Sequence, residues 1–301
     1  MATAGGYHEG LCRSADGTEI FYNVLGQGPT VVMCDGIGCD QYAWNYLAPY
    51  LAMHHRVVRW NYRGHGRSGP PPALESMTLD HLCEDLEAVL DTVQAKQAVL
   101  CGHSMGVQVI LEQWLRQRER VLGLVALCGA FGRPLDTFRG SDLAVKTLPL
   151  LRRVFGRFPN ATQLVWELAV PTRLALALAG KLEINMDLIR VGDFVPYLDH
   201  LGHIDVQVFL ALLDDVSRRT SESWLPRIDR PTLVLAGEHD TFTPVTLAER
   251  MHRMVPGSEY LLVPLASHTM PIEMPDLVNL RVEKFLKERV FIQPRAASPQ
   301  S

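Results

Sequence analysis

The chain is predicted to fold as an α/β protein, with an eight-stranded, mostly parallel sheet, helices on both faces and a helical segment inserted after the sixth strand. Three observations carry that expectation. Short apolar runs alternate with segments of three- and four-residue apolar spacing along most of the chain. The stretch 129–223 breaks this alternation, carrying helical signals and no convincing strand. Finally, Ala98-Val99-Leu100-Cys101 leads directly into Gly102-His103-Ser104-Met105-Gly106, a strand-to-helix turn with glycines two residues either side of a serine.

Taken in order, residues 10–14 and 18–24 read as the first two strands. Ala15-Asp16-Gly17 joins them, and its Asp-Gly pair is a hairpin signal, so this edge is expected to be antiparallel. Strands follow at 30–35, 56–61, 97–101, 123–128, 232–236 and 259–263. Thr78 is read as the N-cap of a helix whose Leu79, Leu82, Leu86, Val89, Leu90 and Val93 share one face. After the serine turn, Val107, Ile110, Leu111, Trp114 and Leu115 repeat at helical spacing over 105–118. Leu277, Leu280, Val282 and Phe285 mark a C-terminal helix, and the Pro/Ser/Gln-rich tail 293–301 is expected to be disordered.

Within 129–223, helix-like stretches fall at 141–154, 161–168, 172–179 and 206–219, with Pro159, Pro171, Gly180 and Pro196 read as breaks. Open α/β sheets bind ligands over the carboxyl ends of their strands, so this insertion is read as a lid. The predicted organisation is a core of 1–128 and 224–292 covered by a lid of 129–223.

A net charge of −4 over 301 residues offers no broad basic field, which argues against nucleic acid or an anionic membrane as the main partner. A small neutral or weakly charged molecule remains. The longest apolar patch, 174–179, is far too short to span a bilayer, and the first nine residues lack the pattern of a secretory leader. Six cysteines show neither Cys-x-x-Cys nor zinc-ligand spacing, and Cys34, Cys101 and Cys128 fall in predicted core strands. No metal or cofactor is expected, and a reducing cytoplasm fits best. Oligomeric state is not legible.

A serine hydroxyl is a weak nucleophile unless a base stands beside it and a third group orients that base. Asp240 lies just beyond the strand at 232–236, and His268 just beyond the strand at 259–263. Their order along the chain, Ser104, Asp240, His268, is the one that accompanies a serine presented on a strand-to-helix turn. His268 is expected to take and return the serine proton, and Asp240 to hold the imidazole tautomer, with Glu238 the competing carboxylate. Oxyanion donors are expected from the backbone N–H groups of Met105 and Ile37, the latter in the loop Asp35-Gly36-Ile37-Gly38.

With these motifs the chain resembles the α/β-hydrolase superfamily over residues 10–288. Arg63-Gly64-His65-Gly66-Arg67-Ser68 is similar to the family's Arg-Gly-x-Gly-x-Ser turn, and the stretch 231–240 to its Pro-Thr-x-x-x-x-Gly-x-x-Asp. Two positions depart from the family pattern. Asp35 stands where many relatives have histidine, and Asn61 where the fourth strand often ends in aspartate. A carboxylate near a developing oxyanion would repel it, so Asp35 is expected to face inward and pair with Arg63.

The resemblance implies a serine hydrolase of carboxylic esters with small to medium, apolar substrates. Lactone or enol-lactone hydrolysis, thioester hydrolysis, carbon–carbon bond hydrolysis, perhydrolysis and acyl transfer remain open on the same residues. So does a small-molecule receptor built on the fold. Serine at position 104 speaks against epoxide hydrolases and haloalkane dehalogenases, which use aspartate there. The loop followed by Tyr42 and Trp44 is similar to that of enol-lactonases. Substrate contacts are assigned to Gly36, Gly38, His103, Trp166 and Phe194, and Leu164, Leu168, Leu176, Leu178 and Phe209 are expected to contribute to an apolar acyl pocket.

Overall fold

The computed structural model describes residues 6–136, 143–172, 174–177 and 184–292. Strands β1 (His8–Arg13), β2 (Glu19–Leu25), β3 (Thr30–Cys34), β4 (Arg56–Trp60), β5 (Ala98–His103), β6 (Val121–Leu127), β7 (Thr232–Gly237) and β8 (Glu259–Val263) form one sheet. Their order across it is β1-β2-β4-β3-β5-β6-β7-β8. β1 and β2 pair antiparallel from His8↔Val24 to Arg13↔Glu19, and β2 meets β4 antiparallel. Every later pairing is parallel. At the first turn Gly17, with φ 89°, adopts the left-handed conformation that the Asp-Gly pair anticipates.

β3 and β5 are buried throughout, as expected of central parallel strands covered on both faces. Helices α1 (Leu47–Leu51), α2 (Leu79–Thr92) and α3 (Gly106–Arg116) pack around this sheet. Thr78 caps α2 by accepting a hydrogen bond from the His81 amide. All six cysteines are buried and none forms a disulfide.

Between β6 and β7 the chain runs through α4 (Leu143–Arg157), α5 (Pro159–Ala169), α6 (Val191–His203) and α7 (Val206–Arg218). Pro159, expected to break a helix, instead opens α5 at its first position, where its missing N–H costs nothing. Pro196 does not end a helix either. α6 runs through it, because Phe194, Tyr197 and Leu198 are packed inward, with the Tyr197 ring 4.6 Å from that of Tyr42. Tertiary burial here overrides a local propensity. Residues 141–142, part of the stretch 172–179 and the tail 293–301 lie outside the described residues. Helix α8 (Val245–Met254) lies between β7 and β8, and α9 (Met270–Glu273) and α10 (Pro275–Phe285) follow β8. Among the described residues no helix is long and apolar enough to cross a membrane.

The turn after β4 is fixed by a buried ion pair. Arg63, fully buried, donates from Nε and Nη2 to both oxygens of Asp85 on α2, at 2.8 and 2.6 Å, and from Nη1 to Asp16 at 2.7 Å. Ser68 closes the same turn, donating to the Asn61 carbonyl and accepting from the Phe21 amide. One charge thus ties α2, the β1–β2 hairpin and the turn after β4 together.

Candidate active site

β5 ends at His103 and α3 begins at Gly106, leaving Ser104 between them with φ 56°. That left-handed conformation is strained for a residue with a Cβ, and the surrounding glycines make it possible. A Cβ on Gly102 would collide with the Gly106 carbonyl, and one on Gly106 with the Cys34 carbonyl. The serine is therefore lifted clear where β3, β5 and α3 come closest.

Ser104 Oγ lies 2.9 Å from His268 Nε2, and His268 Nδ1 lies 2.9 Å from Asp240 Oδ2. Asp240 Oδ1 accepts the amides of Phe242 and Thr243, and Oδ2 also accepts the Thr243 hydroxyl at 2.7 Å. Burial alone raises the Asp240 pKa, but the His268 ring and the Thr243 donors outweigh it and hold the carboxyl below its usual range. Glu238, the competing acid, turns away to accept the Leu265 amide and is exposed.

The loop carrying Ile37 is held from three sides. Tyr62 donates its hydroxyl to the Asp35 carbonyl at 2.6 Å, the Gln41 amide donates to Asp35 Oδ2 at 2.8 Å, and the Gly38 amide donates to His65 Nε2 at 3.2 Å. Since Nε2 accepts, His65 carries its proton on Nδ1 and donates it to the Arg63 carbonyl at 3.0 Å. Burial lowers the His65 pKa to about 4, which keeps this tautomer neutral. Among the described residues, neither the Ile37 nor the Met105 amide meets an acceptor, and both residues line the cavity beside Ser104.

Asp35 faces inward, as expected, but its partner is the Gln41 amide and not Arg63, which Asp85 and Asp16 already saturate. Burial, together with nearby Asp40, raises its pKa to about 7. The sign of the linkage follows. Between its ordinary value near 4 and about 7, the native carboxyl keeps a proton that the unfolded one has lost, so Asp35 makes stability fall as pH rises through that window. Asp35→Asn should therefore gain stability relative to the parent, with a clearly larger gain at pH 8 than at pH 5. Urea unfolding of both proteins at the two pH values checks this, and an equal difference at both would contradict it.

His103 is buried against the His268 ring and lines the cavity. Burial, followed by the charge of His268, lowers its pKa to about 3, so the neutral ring donates from Nε2 to the His268 carbonyl at 3.0 Å. A further residue gave no signal of its role in sequence. Glu273 on α9 accepts from the Ser267 amide and hydroxyl and from the Thr269 hydroxyl, thereby bonding both neighbours of His268. It also accepts the Asn185 amide, at 2.9 Å, from the segment preceding α6. Only its position five residues after His268, in a stretch with Ser267 and Thr269, could have marked it.

A cavity of about 550 Å³ opens over Ser104. Its walls come from the sheet side through Ile37, Tyr42 and Met105, and from the inserted helices through Leu148, Phe194 and Phe209. No Asp, Glu, Lys or Arg lines it among the described residues. Phe194 is where the sequence assigned it. Trp166 is not: its indole donates to the Leu201 carbonyl and its ring packs 5.5 Å from Phe209, so it supports the wall from behind. Gly36 and Gly38 supply backbone shape instead of lining. A Cβ on Gly36 would sit 3.1 Å from that of Ser104, and one on Gly38 2.7 Å from Leu201. Leu164 and Leu168 are exposed, and Leu178 lies outside the described residues.

This sheet order, with a serine raised at the β5–α3 turn, defines a hydrolase of the α/β class. A family profile described as alpha/beta hydrolase fold matches residues 29–275, and the chain belongs to that family. Among curated proteins it is 24% identical over 280 residues to the uncharacterized hydrolase YugF of Bacillus subtilis (strain 168), covering 91% of this chain and 96% of that one. It is 29% identical over 302 residues to bifunctional epoxide hydrolase 2 of Mus musculus, covering 91% of this chain but 54% of that one. Among solved structures, the enol-lactonase from Burkholderia xenovorans LB400 superposes with a TM-score of 0.75 at 24% identity, covering 93% of this chain and 100% of that one.

Proposed function

We propose that the protein is a serine hydrolase of carboxylic esters, acting through an acyl-enzyme on Ser104. The observation that carries this reading is the unbroken chain from Ser104 Oγ through His268 to Asp240, two contacts of 2.9 Å each. As Ser104 Oγ bonds to the ester carbonyl carbon, His268 Nε2 takes its proton, and the carbonyl oxygen becomes an anion between the Ile37 and Met105 amides. Collapse breaks the ester C–O bond, and the proton on His268 passes to the departing alkoxide. Water, deprotonated by the same ring, then attacks the acyl carbon; the acyl C–Oγ bond breaks, the ring returns the proton to Ser104 Oγ, and the acid is released. The helices between β6 and β7 act as a lid over this chemistry.

Substrate class follows from the walls. Leu148, Phe194, Leu198 and Phe209 favour an apolar acyl group, and the described lining offers no charge to pair with an ionised one. Serine at 104 disfavours the epoxide chemistry of one relative's name, which needs a carboxylate in that place. Lactones remain a second reading, supported by Tyr42 on the wall beside the Gly36-Ile37-Gly38 loop.

A fluorophosphonate probe should label the folded protein at Ser104. Among p-nitrophenyl esters, kcat/KM should rise from acetyl to a medium-length acyl chain. Folded protein that takes no label would sink the proposal, while labelling with negligible multiple turnover on any ester or lactone would favour a receptor.

A further inference from the structure

Soluble helices usually present one apolar stripe to the core and a polar face to water. α4 and α5 depart from that rule. Their inner faces are satisfied: Leu148, Phe155 and Trp166 pack with Val206 and Leu210 of α7, and Thr147, Leu148 and Leu151 reach the cavity. Yet Leu143, Leu150 and Val154, at spacings of seven and four, stand exposed on α4, and Phe158, Leu164, Val165 and Leu168 stand exposed beside and on α5. Val165 and Leu168 are 65% and 68% exposed, values that no packing role explains. Elsewhere the exposed large apolar side chains are scattered. A concentration of them on one helix pair marks an interaction surface.

Charge indicates which partner. Although the whole chain carries −4, residues 143–169 hold Lys146, Arg152, Arg153 and Arg157 against the single acid Glu167. Arg152 pairs with Asp214 on α7, and the Arg157 guanidinium lies 5.5 Å from the Phe158 ring, leaving its positive charge uncompensated by any acid of its own helix. Cations bordering exposed leucine, valine and phenylalanine form the pattern of a helix lying in a lipid–water boundary, where acyl chains take the apolar groups and anionic headgroups the basic ones. The low overall charge, which argues against a membrane partner, averages over this local excess.

We propose that the outer face of α4 and α5 docks on an anionic lipid surface, from which an apolar ester passes between the helices into the cavity. Docking stands on the surface alone. Delivery of substrate also rests on the ester-hydrolase reading. The route is short, since Leu151 is both exposed on α4 and part of the cavity wall.

The test is co-sedimentation of the full chain with vesicles of phosphatidylcholine containing a third phosphatidylglycerol, compared with phosphatidylcholine alone. Binding is expected to the first, at least tenfold weaker to the second, and weakened by salt. The triple variant Leu150→Asp, Val165→Asp, Leu168→Asp should lose binding at least tenfold while keeping the parent's circular dichroism and its turnover of a soluble short-chain ester. Arg153→Glu should weaken binding without touching an apolar contact. Equal binding by parent and triple variant, equal binding to both vesicle types, or a parent dimer that the triple variant converts to monomer would each overturn the proposal. Ser104→Ala separates the two readings: it should still bind vesicles, and full ester turnover by it would defeat the hydrolase reading while leaving the docking intact.

Discussion

Replacing Ser104 by alanine is expected to lower kcat on an activated ester by a factor on the order of 10⁴–10⁶, with circular dichroism and thermal midpoint close to the parent's. The reason lies in the geometry. In the acylation step His268 Nε2 takes its proton from Ser104 Oγ, 2.9 Å away, and without the hydroxyl there is no bond to form with the acyl carbon. His268→Ala should cost about as much, because Ser104 without a base is an ordinary alcohol at neutral pH. The two residues act as a unit, so the double variant should lose no more than either single one. Single-turnover kinetics on a p-nitrophenyl ester would show this. Effects that multiplied in the double variant would mean that the two side chains act separately, contrary to the proposed mechanism.

The second large effect concerns stability. Arg63→Ala should destabilise the fold by about 3–5 kcal/mol, because it leaves Asp85 buried without its counter-ion. Both side chains are fully enclosed and joined by two hydrogen bonds of 2.6 and 2.8 Å. Changing both partners together, Arg63→Met with Asp85→Leu, should cost much less, since no unpaired charge is left inside. Urea unfolding followed by circular dichroism measures both. A single-variant loss under 1 kcal/mol, within the range of surface pairs, would mean that water reaches Asp85 in the native state.

The parts of this molecule that were legible in sequence are those whose physics is local. Strand and helix periodicity, the Asp-Gly hairpin and the glycine-flanked Ser104 each depend on a few neighbouring residues. Strand ends are local too, and Ser104, Asp240 and His268 each follow one, which is why three residues far apart in the chain could be expected together from sequence. Pairings across the fold were not legible. Asp35 and Arg63 are 28 positions apart and looked like natural partners, but Asp85, arriving from α2, holds both oxygens against the guanidinium. Pro196 was misread for the opposite reason, a strong local preference outweighed by inward packing of Phe194 and Leu198. Trp166 looked like a pocket aromatic from composition alone, and only the orientation of α5 shows that it stands behind Phe209. His65 sat inside a recognised motif, yet its bond to the Gly38 amide exists only once the β3 and β4 loops meet.

The Glu273 carboxylate has a thermodynamic consequence. One group holds the residues on either side of His268 and, through the Asn185 amide, the inserted segment above the cavity. Any displacement of that segment which breaks the Asn185 bond changes what Glu273 offers to Ser267 and Thr269. By linkage the dependence runs both ways, so whatever favours the aligned imidazole favours the seated segment by the same free energy. A ligand that engages and aligns His268 from inside the cavity would thereby also hold the segment around Asn185 in its seated position.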